Sequence, residues 1–137
     1  FSKNAKMAGE TDLNILLRSL KPSLNKGNYV FISVKDIQHV SRDIILFEFK
    51  EKEGITIILE QAKADELNFK YKFVASWITL NVHSALEAVG LTAAVSTKLT
   101  KNNISCNVVA AYYHDHIFVP IKDTEKAMEI LSEFSGK

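Results

Sequence analysis

The sequence predicts an α+β fold: tandem ferredoxin-like units whose antiparallel sheets carry helices packed on one face. Three observations predict it. Runs such as "YVFISV" from Tyr29 and "FVASWITLNV" from Phe73 alternate with the period of a strand, whereas Leu13, Leu16, Leu17 and Leu20 recur at helical spacing. The second half reads strand, helix, hairpin, helix, an order that closes as an antiparallel sheet with helices on one side. The first half echoes it. "YVFISVKD" answers "WITLNVHS", and "FEFKEKEGITIILEQAKADEL" answers "AYYHDHIFVPIKDTEKAMEIL", a degenerate duplication with units at residues 7–70 and 71–137.

Taken in order, "TDLNILLRSLKP" is an amphipathic helix with Thr11 or Asp12 as cap and Pro22 beyond its end. Val30, Ile32 and Val34 then share one face of a strand, and a short irregular piece follows where the second copy has a helix. The helix from Thr11 to Leu20 is expected to cover the sheet in its place. "IILFEFKEKEGITIILE" is a hairpin around Gly54, with Ile45, Phe47 and Phe49 facing Ile55, Ile57 and Leu59. "QAKADELNF" has room for a short helix or turn. Val74, Ile78, Leu80 and Val82 line one face of the longest strand. Leu91, Ala94, Val95 and Leu99 form a helical stripe stopped by Asn102 and Asn103. Ile104, Cys106, Val108 and Ala110 are expected to alternate inward, and Ile117, Val119 and Ile121 alternate likewise, on two strands flanking "HDH". The last helix takes Asp123 or Thr124 as cap and buries Ala127, Ile130, Leu131 and Phe134. Phe73, Trp77, Val109, Tyr113 and Phe118 fall on the face away from the helices, which must pack against the other half or another chain.

Composition narrows the function. The 137 residues are 47% apolar and 24% charged, enough for a compact domain or two small ones, and a net charge of +1 spread among alternating signs offers no field for nucleic acid or anionic lipid. No apolar run is long enough for a membrane span and no secretory leader opens the sequence, so a cytoplasmic protein is expected. Whether Phe1 to Lys6 are native is left open. The single cysteine, Cys106, excludes an internal disulfide and suits a reducing compartment. No GxSxG, P-loop, GxGxxG, HExxH or CxxC appears, and Ser84 beside His83 is not a triad, because nucleophile and base must meet in space. No cofactor or metal is called for, and no enzyme activity.

"EAVGLTAAVSTKLTKNNISCNVV" resembles the ACT domain: Val89-Gly90 stands where Pro-Gly is usual after the first strand, Leu91 to Lys101 is the helix, and Ile104-Ser105-Cys106 leads into the next strand. Together with "ITLNVHSALEAVGLTAAVS" and "ISCNVVAAYYHDHIFVP" it is similar to small bacterial tandem-ACT proteins without settled function, related in architecture to the cytosolic arginine sensors of animals. The resemblance spans roughly Leu13 to Phe134. It implies a regulatory module that binds an amino acid between the loop after the first strand of one unit and a strand of its neighbour, and a homo-oligomer, expected as a dimer.

The residues of that loop have chemistry to match. Gly90 permits close approach or a positive φ, and the helix from Leu91 aims free N–H groups at the loop. Glu87 offers charge for a ligand ammonium, and Asn107 an amide. The candidate ligand contacts are therefore His83, Ser84, Leu86, Glu87, Val89, Gly90, Leu91, Asn107 and Val108. Four of them have a structural alternative. Ser84 and Glu87 also make a capping box, Gly90 a tight turn, and His83 a hydrogen-bonded strand-end histidine. Two other functions stay open: an oligomerisation module without ligand, and a metal-dependent enzyme using His83, His114, Asp115 and His116. Against the metal, His114 and His116 straddle a predicted turn, where "HDH" takes the place of "KEKEG" in the first copy. An RNA-recognition role lacks the basic aromatic strand motif it requires.

Overall fold

A computed structural model describes residues 13–82 and 89–136. Helix α1 covers residues 13–18 and runs into strand β1 (Lys21–Leu24). After a turn come β2 (Tyr29–Val34), a 3-10 turn at Arg42–Ile44, the hairpin β3 (Ile45–Lys50) and β4 (Ile55–Glu60), and helix α2 (Gln61–Glu66). The second half holds β5 (Val74–Asn81), α3 (Leu91–Lys101), β6 (Asn107–Ala110), β7 (Asp115–Pro120) and α4 (Thr124–Ser132). The α+β class read from the sequence is the class observed.

All strands join one antiparallel sheet in the order β3–β4–β2–β5–β7–β6. β5 is its spine. One edge of β5 pairs with β7 from Ala75↔Pro120 to Leu80↔Asp115. The other edge is shared, because β1 takes its C-terminal half (Leu24↔Ile78 to Lys21↔Asn81) and β2 its N-terminal end (Tyr29↔Ala75, Val30↔Val74).

Strand β1 is the element that sequence reading misses. Pro22 reads as the end of a helix, yet it sits in a strand paired on one edge only, where its missing N–H costs no ladder bond. The location of α1 also differs from expectation. Leu16 and Leu20 do not cover the first half; they are buried with Ile78, Leu80, Leu91, Val95, Leu99, Ile117, Val119, Ala127, Ile130 and Leu131 in the core of the second. The pairing of β1 with the far end of β5 carries them there. The first half closes a smaller core of its own, Val30, Ile32, Val40, Ile57, Leu59 and Ala64, under α2.

The hairpin register corrects another expectation. Ile45 lies opposite Leu59, but an irregularity between Ile45 and Phe47 flips the rest of β3, so that Phe47 lies opposite Ile58 and Phe49 opposite Thr56. One extra residue turns every following side chain to the other face. Phe47 therefore joins the helix-free face, where Tyr29, Ile58, Ala75 and Phe118 are buried among Phe31, Phe73, Trp77 and Val109. Rings from both halves interlock edge to face, Tyr29 on Trp77 at 5.3 Å and Phe31 on Phe118 at 5.3 Å. On this face the rings of the two halves touch side by side across β2, β5 and β7. Tyr113 is not part of it, since it stands in the β6–β7 turn. Ile121, expected on the strand, lies in a 3-10 turn and is exposed.

Leu20 has no exposed surface although it comes from the N-terminal helical segment. Leu20→Ala is expected to cost about 2–4 kcal/mol in urea unfolding, whereas Leu24→Ala, at a half-exposed position, costs under about 1 kcal/mol.

Candidate functional site

The first half of the predicted loop, His83, Ser84, Leu86 and Glu87 included, lies outside the described residues. Its second half leads into α3. Gly90 is the N-cap of α3 with φ 99° and ψ −11°, a conformation that favours glycine, and its carbonyl accepts the Ala94 N–H at 2.9 Å. A Cβ on Gly90 would stand 2.9 Å from Leu13 Cδ2, so the close approach that glycine permits is made by α1. Val89 is 85% exposed, and Leu91 turns inward to the larger core.

Asn107 and Val108 are level with the middle of β5 and not with its end. Asn107 lies opposite Phe118, which lies opposite Trp77, so it is level with the middle of β5. The strand continues four residues further, to Asn81, roughly 13 Å along its axis. Level with the end of β5 is instead Ala110, opposite Asp115 and so in line with Leu80. Asn107 is exposed on the edge strand, with Nδ2 3.5 Å from the Phe118 carbonyl, and Val108 is 40% exposed. Cys106, just before β6, is half-buried, and burial pushes its thiol up to about 11, far from the range of a reactive cysteine.

The "HDH" segment is not the hairpin tip that was expected. The turn is Ala111 to His114, closed by the Ala111 N–H on the His114 carbonyl at 3.0 Å, and Asp115 and His116 belong to β7. His116 has structural work on the aromatic face: its Nδ1 accepts the Trp77 indole N–H at 2.9 Å, with Thr79 Oγ1 at 3.0 Å. An indole only donates, so Nδ1 carries no proton. Asn25 Nδ2 donates to Thr79 Oγ1 at 2.9 Å and so ties the β1–β2 turn into the same network. Burial, aided by His114 and opposed by Asp115, holds the His116 pKa below its ordinary value. Among the described residues, no three His, Cys, Asp or Glu side chains are grouped to hold a metal ion.

A second concave site has no counterpart in the sequence reading. The β1–β2 turn, the start of α4 and Ser76 enclose an open cleft of about 570 Å³. Lys26 and Lys122 bring positive charge to it, Glu125 negative charge, and Asn25 and Asn28 amides. Its floor is held by a hydrogen bond between the Ser76 and Thr124 hydroxyls. "NKGN" signalled only a turn, and nothing local in the sequence joins it to residues one hundred positions away.

Two family models, each described as an ACT domain, match residues 8–76 and 72–133. They overlap at the start of β5, the strand that both halves share. A solved structure from Vibrio cholerae, a protein of unknown function described as a possible transport protein, is 44% identical and superposes with a TM-score of 0.84 over 93% of this chain and 98% of that one. The Agrobacterium tumefaciens protein Atu0741 superposes at 0.65 with 17% identity, over 85% of this chain and 89% of that one. The ligand-free regulatory subunit of aspartate kinase from Thermus thermophilus superposes at 0.58 with 7% identity, over 84% and 97%, a likeness of fold. The sequence has no significant match among the curated proteins.

Two expected outcomes follow for the site. Gly90→Ala adds a disfavoured φ to a clash with Leu13 and should lower unfolding stability by at least about 1 kcal/mol; pairing it with Leu13→Ala should restore only the steric part. For His116 the unfolded chain binds the extra proton once pH falls below the ordinary 6.5, so stability is full above that pH and declines as pH drops through it toward the lowered folded-state value. Thermal melts at about pH 7.5 and about pH 5.5 should show that decline, and His116→Asn, which keeps an acceptor for Trp77 without titrating there, should reduce it.

Proposed function

The chain belongs to the ACT domain family, and from that premise we propose that it is a non-catalytic regulatory protein that binds a small molecule, an amino acid first of all. The observation that carries this reading is the pair of ACT matches, which together take in residues 8–133. We place the ligand at the loop after β5, on His83, Ser84, Leu86, Glu87, Val89, Gly90 and Leu91, with Asn107 and Val108 supplied by an adjoining strand. The units are proposed to divide at residues 7–70 and 71–137, with the N-terminal α1 and β1 lent to the core of the second. The protein is proposed to work as a cytoplasmic homodimer, in keeping with its one half-buried cysteine and the absence, among the described residues, of any helix long and apolar enough to cross a membrane.

A second reading, an oligomerisation module without ligand, is favoured by one contact. Leu13 fills the space in front of Gly90 that an incoming ligand would use. A thermal-shift screen across the twenty amino acids separates the two. An amino acid that binds the folded state, present at a hundred times its Kd, adds roughly 2.7 kcal/mol and raises the midpoint by several degrees. If no amino acid moves the midpoint, the structural module is the better account.

A further inference from the structure

Trp77 stands where the two units meet. Its ring meets Tyr29 of β2 edge to face at 5.3 Å and stacks on Phe118 of β7 at 6.4 Å. Its indole N–H donates to His116 Nδ1 at 2.9 Å, and Thr79 Oγ1 lies 3.0 Å from the same nitrogen. Asn25 fastens the β1–β2 turn to this group, its Nδ2 donating to Thr79 Oγ1 at 2.9 Å and its backbone N–H to the Trp77 carbonyl at 2.9 Å.

The chemistry of the group is one-sided. An indole nitrogen only donates, so the Trp77 bond exists only while His116 Nδ1 keeps a free lone pair. In the neutral ring the proton is therefore on Nε2, and the next proton has one place to go, Nδ1 itself. Once Nδ1 carries it, two N–H groups point at each other and the indole bond is lost. Thr79 Oγ1 is placed to accept the new N–H, because a hydroxyl oxygen has two lone pairs and Asn25 uses one.

We propose that His116 and Trp77 form a proton-operated latch at the seam between the two ACT units: a proton taken from solvent onto Nδ1 releases the Trp77 indole, and the imidazolium bonds Thr79 Oγ1 instead. The latch goes beyond the amino-acid reading and needs no ligand to work. Burial decides which end moves. Thr79 is buried and tied to Asn25, whereas Trp77 and His116 are half-buried, so the hydroxyl is the fixed end of the exchange and the indole the movable one.

The surroundings set the pH at which it opens. Burial and His114, in the preceding turn, oppose the charge on His116, and Asp115 on its own strand favours it. Around it, β6 presents Val109 and carries no charged residue, β5 presents Trp77 and Thr79, and the β1–β2 turn reaches in with Asn25 while its Lys26 is exposed. Tyr29 lies beyond Trp77, and its hydroxyl, pushed up by burial and Glu60, is neutral throughout. The latch therefore holds above the ordinary 6.5 and opens as pH falls below it.

Trp77 is the sole tryptophan of the chain, so one indole N–H signal in a proton–nitrogen NMR spectrum reports the latch. The full chain is titrated from about pH 8 to about pH 5, with the histidine ring protons followed alongside. The indole proton should move upfield in one step, its midpoint below 6.5 and equal to that of the His116 ring, while the far-ultraviolet spectrum stays unchanged. His116→Asn, whose oxygen accepts without titrating, should abolish the step. His114→Asn should keep it and raise its midpoint. Thr79→Val, which removes the hydroxyl that receives the imidazolium, should lower it. An indole signal that stays put while the His116 ring titrates overturns the latch, as does a step that persists in His116→Asn or one that coincides with loss of the far-ultraviolet signal. A Thr79→Val midpoint that does not fall overturns the exchange. If His116→Asn does not fold, the wild-type midpoints decide: equal values for the indole and the His116 ring support the latch, and unequal values overturn it.

Discussion

β5 is the constraint on which the rest of the structure depends. It is hydrogen bonded along both edges and buried on both faces through its middle, so it must supply apolar side chains in both directions and satisfy every polar group it carries. Two of its residues are buried hydroxyls, and each is answered. Ser76 bonds Thr124 at the start of α4, and Thr79 bonds Asn25 and His116. A hydroxyl left without a partner there would cost on the order of 1–3 kcal/mol, so these bonds set where α4, the β1–β2 turn and β7 dock.

Because one strand serves both halves, the two ACT units share a sheet. Their large and small helix-side cores lie under the same sheet, and the opposite face is closed by aromatic rings contributed from either side of the junction. Such an arrangement makes β5 a close-packed element common to both units. The cleft at the β1–β2 turn and the network from Asn25 to His116 both include residues of that strand.

Legibility of the fold varied with how local the deciding interaction was. Leu91 to Lys101 and Val74 to Asn81 were plain because their periodicity is carried by many consecutive residues. β1 was hidden because four residues containing a proline carry no pattern of their own; only the partner strand makes them a strand. The flip in β3 was hidden because a bulge changes register without changing composition. The "HDH" turn slipped by a few residues, a usual uncertainty of element ends, but with a large effect on meaning, since it moved His116 from a solvated tip onto Trp77. As for the site, Gly90 was legible as a special backbone position, and its Leu13 neighbour was not.

The sequence alone determined the α+β class, the types of the longer elements and the ACT resemblance, because these rest on alternation, helical spacing and short motifs, all of which act between near neighbours. Tertiary structure decided which core α1 enters, which face the phenylalanines of β3 occupy, where the cleft opens and how Asn107 stands to β5. Those outcomes depend on strand register and on contacts between residues fifty to one hundred positions apart, and backbone hydrogen bonding is indifferent to side-chain identity until packing selects one pairing over its neighbours.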